Sequence, residues 1–280
     1  MVPHDDGHGN VQAAPCDPPR IIAPMLLAID IGNTNTTIGL LRNGALVATR
    51  RAASNPRATA DEVEFTLDGL LHLDDASFGD VDAIACASVV PALTAHIETI
   101  AARRERPLTI ATAGIVPLAV RTERPGEVGA DRLVNALAAG RLYGTPAVVV
   151  DFGTATTFDV VSRRGEYVGG AIAPGIGTSL DALAERGAQL RTVELLRPRT
   201  VIAKNTVEAL QSGVLYGFAG QVDGIVARMA AELGVPLDDI PVVATGGLAS
   251  VVVPESRTID HHEPDLTLLG LRLVYDRNTG

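Results

Sequence analysis

Cysteine, lysine and long apolar runs are scarce in this sequence. The 2 cysteines, Cys16 in a polar tail and Cys86 in an apolar run, exclude a disulfide framework and fit a reducing cytoplasm. No apolar run approaches the ~20 residues that a membrane-spanning helix needs. Lys204 is the only lysine, and the formal net charge of −10 argues against non-specific binding to nucleic acid or to an anionic membrane. We therefore expect a cytoplasmic protein without a nucleic-acid or membrane partner.

Two kinds of familiar signal are also missing. The first 24 residues lack a charged segment followed by an apolar core, so they do not form a secretory signal, and we expect a disordered extension over residues 1–24. Neither a G-x-x-x-x-G-K-[ST] loop nor a G-x-G-x-x-G turn between a strand and a helix occurs. The two commonest nucleotide-binding loops are therefore excluded.

Two similar stretches stand out instead, at residues 25–41 and 147–161. Each has an apolar strand that ends at an aspartate (Asp30 or Asp151), a turn rich in glycine and hydroxyl groups, and a second apolar strand. Such a turn offers backbone N–H groups and hydroxyls to an anion, and the aspartate beside it can hold the accompanying cation. One such turn occurs in many hairpins, but two in matched contexts could grip a polyphosphate from both sides. This pattern is typical of an ATP-using enzyme.

The order of predicted elements also repeats. Three strands, a helix, a strand, a helix and a strand lead to a loop at residues 121–128 that is rich in proline, glycine and charge, and the second half follows a similar plan. We predict an α/β protein made of two duplicated lobes, residues 25–128 and 129–280, with the ligand between them.

Two further motifs carry candidate chemistry. Asp131 and Arg132 open a predicted helix, where an acidic residue suits the helix dipole; alternatively, Asp131 is a general base and Arg132 binds an anionic group on the phosphoryl acceptor. Gly246 and Gly247 follow a strand, where they form either a plain turn or a surface that a nucleotide base approaches. Asp30 is a candidate Mg²⁺ ligand that acts through water.

Taken together, the motifs resemble type III pantothenate kinase, a family of the acetate kinase, sugar kinase, Hsp70 and actin superfamily. The resemblance runs from about Met25 to the C-terminus, and these segments carry it: LLAIDIGNTNTTIGL, ASVVP, EVGADRLVNA, VVVDFGTATTFDVV, GGAIAPGI and ATGG. It implies a duplicated, actin-like (ribonuclease H-like) ATPase fold with ATP in the cleft between the lobes. It also implies a homodimer with the acceptor site beside the subunit interface.

The resemblance assigns roles to individual residues. Asp131 matches the catalytic base, Arg132 a residue near the pantothenate carboxylate, Asp151 the site of a monovalent cation (K⁺ or NH₄⁺) and Thr154 an ATP contact. The first phosphate loop matches Asp30, Ile31, Gly32, Asn33, Thr34, Asn35, Thr36 and Thr37, and the substrate-binding residues match Gly129, Ala130, Asp131, Arg132 and Thr206. One departure lies at residues 122–125, which read TERP where the family often has a tyrosine in a stretch resembling Tyr-Asp-Asn-Pro.

The expected activity is therefore the transfer of the γ-phosphoryl group from ATP, with Mg²⁺, to pantothenate. This reaction gives 4′-phosphopantothenate, the first step towards coenzyme A. Two alternatives remain at this point: a kinase for another small hydroxylated acceptor, and a nucleotide-binding accessory or regulatory protein. The presence of Asp30, Asp131, Asp151 and Thr154 together argues against the regulator, which has no evident use for a base.

Overall fold

A computed structural model describes residues 24–186 and 193–279. The predicted extension, residues 1–24, lies outside this part except for Pro24, and so does Cys16. Within the described residues, the strands form a five-stranded sheet and a six-stranded sheet. The first half contains β1 Met25–Ile31, β2 Asn35–Arg42, β3 Ala45–Ala53, α1 Ala60–His72, β4 Ala83–Ser88, α2 Pro91–Arg103 and β5 Leu108–Ile110.

The second half begins with a short strand that joins the second sheet. Its elements are β6 Ala119–Val120, α3 Ala130–Leu142, β7 Ala147–Phe152, β8 Ala155–Val161, β9 Glu166–Pro174, α4 Ile176–Arg186, α5 Thr206–Leu233, β10 Val242–Thr245, α6 Ala249–Val252, β11 His261–His262 and α7 Leu266–Thr279. Short 3₁₀ turns occur at Pro125–Glu127, Leu237–Asp239 and Val253–Glu255.

The two sheets repeat one topology. The first has the strand order β3-β2-β1-β4-β5, and the second has β9-β8-β7-β10-β11 with β6 added beyond β9. In both sheets, the first three strands of the repeated unit (β1 to β3 and β7 to β9) pair antiparallel, each with the next along the chain. The following strand pairs parallel with the first (β4 with β1, β10 with β7), and the last pairs parallel with that one. Each sheet even has a register shift near the same place, at Leu40/Leu41 and at Val160/Val161. The predicted duplication is therefore confirmed at the level of strand pairing.

The alternation of side chains along β1 and β7 decides which way the two aspartates face. Met25, Leu27, Ile29 and Ile31 of β1 pack on an outer core with α1 and α2, whereas Leu26 and Ala28 face a central core. In β7, Val148, Val150 and Phe152 likewise face an outer core with α5 and α6, whereas Ala147 and Val149 face the central core. Since successive side chains point to opposite faces, Asp30 and Asp151 both face the space between the sheets.

Helices α3 and α7 separate the sheets and set their distance. The central core contains residues from both helices together with β1, β4, β7 and β10, so the layers run α1/α2, first sheet, α3/α7, second sheet and α5/α6. Local signals place the helix ends: Thr59 and Glu62 form a capping box at α1, and Gly234, at φ +64°, ends α5.

The lobe boundary after residue 128 stays a prediction, because β6 precedes it but joins the second sheet, and α7 packs on the first. In the part of the chain described here, we find no helix long and apolar enough to cross a membrane.

Candidate active site

The two hairpin turns meet each other between the sheets. In the first, the backbone N–H of Gly32 donates to the carbonyl of Asn35 at 2.9 Å, which closes the turn between β1 and β2. The hydroxyls of Thr34 and Thr154, one from each turn, share a hydrogen bond of 2.9 Å. Behind the second turn, the hydroxyl of Thr178 in α4 donates to the carbonyl of Thr154 at 2.8 Å. The turns predicted to face each other do so.

Three carboxylates converge beside these turns. Burial and the negative charges of Asp131 and Asp151 raise the pKa of Asp30 from 3.8 to about 8, and the positive charge of Arg51 opposes the rise. Burial and the charges of Asp131 and Asp159 raise the pKa of Asp151 to about 7. The fold has therefore gathered negative charge without supplying enough protein cations to balance it, which is the environment expected of a cation site.

Asp151 is held in place from the central helices. The side-chain amide of Asn135 in α3 donates to Asp151 Oδ2 at 3.2 Å, and the hydroxyl of Thr267 in α7 donates to Asn135 Oδ1 at 2.7 Å. Asn135 is fully buried. Gly246 approaches from the other side at φ +90°, and a Cβ there would overlap Asp151 Oδ1 and lie 2.7 Å from the backbone N and C atoms of Phe152. Only glycine fits this approach.

Asp131 and Arg132 lie in the first turn of α3, as predicted. Asp131 Oδ1 accepts the backbone N–H of Arg132 at 2.9 Å. The Arg132 guanidinium turns towards β8, where Nε donates to Asp159 Oδ1 at 2.8 Å and Nη2 lies 2.7 Å from the same oxygen in an ion pair. Nε and Nη2 therefore face Asp159, whereas Nη1 has no hydrogen bond among the described residues and is a candidate donor to an anionic substrate.

Asp159 is a buried carboxylate that holds the Arg132 guanidinium and two hydroxyl groups. Its side chain is fully buried and also accepts hydrogen bonds from the hydroxyl of Tyr167 at 2.8 Å and from that of Thr157 at 3.2 Å. Burial raises the pKa of Asp159, whereas the Arg132 charge and these hydrogen bonds oppose the rise. Burial and the Asp159 charge raise the pKa of Tyr167, which keeps its hydroxyl protonated as a donor.

The donor set suits a hydrated cation and not a closed protein cage. Among residues 24–186 and 193–279, no group of three or more histidine, cysteine, aspartate or glutamate side chains could hold a metal ion by itself. A carboxylate beside a hydroxyl-rich turn fits Mg²⁺, which keeps several waters and binds through one or two carboxylates and substrate phosphates. Asp30 is the candidate for this ion, and Asp151 is the candidate for a monovalent cation.

The other predicted site residues occupy different positions around this cluster. Ile31 is buried in the outer core, so only its backbone can face a ligand, while Asn33, Thr34 and Asn35 are exposed in the turn. Thr36 and Thr37 are half-buried on β2, and the Thr36 hydroxyl bonds that of Ser54 at 2.9 Å. Gly129 precedes α3 and Ala130 begins it.

Thr206 is not joined to the carboxylate cluster. It is the exposed first residue of α5, and no hydrogen bond within the described residues connects its side chain to the cluster. Its predicted role as a substrate contact stays a prediction.

Sequence reasoning assigned no role to four residues that the fold brings here: Asn135, Asp159, Tyr167 and Arg51. An acidic residue inside the apolar second strand of a hairpin, as at Asp159, is a signal that could have been used, since a buried carboxylate requires a partner. Asn135 lies one turn of helix after the pair of charged residues in α3, and only the packing of α3 on β7 brings it to Asp151.

Comparison with known proteins identifies the family of this chain. The profile of the family described as type III pantothenate kinase matches residues 26–228. The chain belongs to this family. A type III pantothenate kinase from Thermobifida fusca (strain YX) is 56% identical over 258 residues, which cover 91% of this chain and 100% of the relative. One from Streptomyces coelicolor is 53% identical over 261 residues, covering 91% and 98%.

A structural likeness extends beyond this family. Component A of (R)-2-hydroxyglutaryl-CoA dehydratase from Acidaminococcus fermentans superposes with a TM-score of 0.54 at 15% identity, covering 90% of this chain and 97% of that one. A likeness at this identity concerns the fold alone. With the duplicated sheets, it confirms the predicted two-lobe α/β fold of the actin-like ATPases.

Proposed function

We propose that this protein is a pantothenate kinase, which transfers the γ-phosphoryl group of ATP to the primary hydroxyl of pantothenate and forms 4′-phosphopantothenate. The observation that carries the proposal is the contact between the two hairpin turns beside Asp131, in a chain of the type III pantothenate kinase family. Phosphoryl transfer asks the protein mainly for positioning and for electrostatic stabilisation, and the cleft offers groups for both.

The polyphosphate of ATP would lie between the turns. Backbone N–H groups and hydroxyls of residues 30–37, together with Thr154, would receive its oxygens, because residues 33–35 are exposed in the first turn and Thr34 meets Thr154 there. Asp30 would hold Mg²⁺ through water, and Asp151 would hold K⁺ or NH₄⁺. These cations would supply the positive charge that the two carboxylates, with their raised pKa values, lack.

Asp131 would accept the proton of the pantothenate hydroxyl. One of its oxygens is occupied by the Arg132 backbone N–H, which leaves the other for the substrate. Arg132 Nη1 would bind the pantothenate carboxylate, while Asp159 and Tyr167 fix the direction of the guanidinium. Gly129 and Ala130 would line the same acceptor site, and Thr206 would contact it from α5. We further propose a cytoplasmic homodimer with the acceptor site beside the subunit interface.

Release of ADP by the purified protein tests this function. The assay contains ATP, Mg²⁺ and pantothenate, with K⁺ in one series and only Na⁺ in the other. We expect turnover that requires pantothenate and that is much faster with K⁺. A panel of other hydroxylated acceptors is the control for substrate class. Turnover without pantothenate dependence, from a protein that binds ATP, would contradict the proposal.

A further inference from the structure

The strand register places an arginine in line with the phosphate-binding residues. Asp30 of β1 pairs with Thr37 of β2, and Thr37 pairs in turn with Arg51 of β3. Residues directly opposite each other on neighbouring strands project from the same face of a sheet. Arg51 therefore shares the face of Asp30, which is the face towards the second lobe.

The neighbouring arginine shows the contrast. Arg50 points to the opposite face, where its guanidinium donates to both carboxylate oxygens of Asp74 at 2.9 and 2.6 Å. Arg51 is exposed and has no ion pair within residues 24–186 and 193–279. Its Nη1 lies 3.1 Å from the position that a Cβ would take at Gly247, so the guanidinium reaches across the cleft to the glycine pair that follows β10.

The second lobe lacks a charged residue at the position equivalent to Arg51. In the second sheet, Asp151 pairs with Thr157, and Thr157 pairs with Ile172. Ile172 therefore occupies the position equivalent to Arg51. Because the second sheet has an isoleucine at this position, the repeated fold does not require an arginine there. The difference indicates that the charge of Arg51 has a role in the cleft, on the side of the first lobe.

The cleft also needs such a cation. A nucleoside triphosphate brings several negative charges to a site that already contains three carboxylates, and the only lysine, Lys204, precedes α5. The guanidinium of Arg132 already neutralises Asp159. We propose that Arg51 binds the phosphate groups of the nucleotide, with its guanidinium between the first hairpin and Gly247. This inference rests on the nucleotide site of the proposed function and adds a ligand to it.

Calorimetric titration of the full chain with Mg²⁺-ATP and with adenosine tests the role of Arg51. Because the loss of a charge-assisted hydrogen bond weakens binding by about 10- to 100-fold, we expect Arg51→Met to raise the Kd for Mg²⁺-ATP by that factor. Adenosine lacks phosphates, so its Kd should change by less than about twofold. Arg50→Met is the matched control and should bind both ligands as the unchanged protein does.

Two results would overturn the inference. One is a Kd for Mg²⁺-ATP in Arg51→Met that equals that of the unchanged protein, and the other is an equal loss of affinity for adenosine. If Arg51→Met does not fold, as judged by circular dichroism, Arg51→Gln takes its place in the same comparison. Failure of the proposed function is separate: the unchanged protein would then bind ATP without phosphorylating pantothenate, while the comparison of ATP with adenosine still decides the role of Arg51.

Discussion

Replacement of Asp30 by asparagine should stabilise the ligand-free protein while abolishing its activity. Burial and the charges of Asp131 and Asp151 raise the pKa of Asp30 from 3.8 to about 8, although Arg51 opposes them. The folded protein therefore binds the Asp30 proton more tightly than the unfolded chain does. As pH rises from about 4 to about 8, the unfolded chain loses this proton first, and the free energy of unfolding falls.

The size of the effect follows from the pKa difference. Four units correspond to an upper limit of about 5–6 kcal/mol above pH 8, at about 1.4 kcal/mol per unit. Asp30 is only partly buried at the cleft, so water and counter-ions reduce this cost, and we expect about 1–3 kcal/mol. For a chain of this size, that gain corresponds to a rise in melting temperature of roughly 2–12 °C.

Thermal unfolding of both proteins between pH 4 and pH 8.5, without nucleotide or Mg²⁺, measures the effect. The stabilisation by Asp30→Asn should be small at pH 4 and should grow towards pH 8. Asp80→Asn is a control of opposite sign, because hydrogen bonds from the Ser77 hydroxyl and backbone N–H lower the pKa of Asp80. That variant should melt at a lower temperature than the unchanged protein at neutral pH, and the difference should become smaller in acid. An unchanged or lower melting temperature for Asp30→Asn at pH 8, or a gain independent of pH, would refute the reasoning.

Three further variants test other parts of the site. Asp131→Asn should lower kcat by about 10²–10⁴ in the ADP-release assay, the range for loss of a general base, and near-normal turnover would remove that assignment. Asp159→Asn should raise the KM for pantothenate by roughly tenfold or more with a smaller change in kcat, because Arg132 loses its charged partner; an unchanged KM would contradict the positioning role. Gly246→Ala should destabilise the protein by about 1–3 kcal/mol in urea unfolding because a Cβ has no space there. Gly213→Ala, in open space on α5, is its control and should be neutral or stabilising by up to about 1 kcal/mol.

Much of the fold follows from local patterns in the sequence. The apolar strands, the turns that follow Asp30 and Asp151, and the repeated order of elements predicted two similar lobes, and the strand topology confirms them. These features are local because a strand with a buried face has a period of two and a tight turn requires particular residues. The sequence also predicts that the two hairpins face each other, because two anion-binding turns could grip a polyphosphate from both sides, and the hydrogen bond between Thr34 and Thr154 confirms that they meet.

The hairpins, the duplication and the family follow from short motifs, because each motif consists of residues that are close together in the chain. The packed fold was needed to show that Arg132 neutralises Asp159, that Asn135 holds Asp151, and that Arg51 faces the cleft while Arg50 does not. Those pairings join residues on different strands and helices. Their distances are set by strand register and by the packing of α3 and α7 between the sheets, which no local pattern specifies.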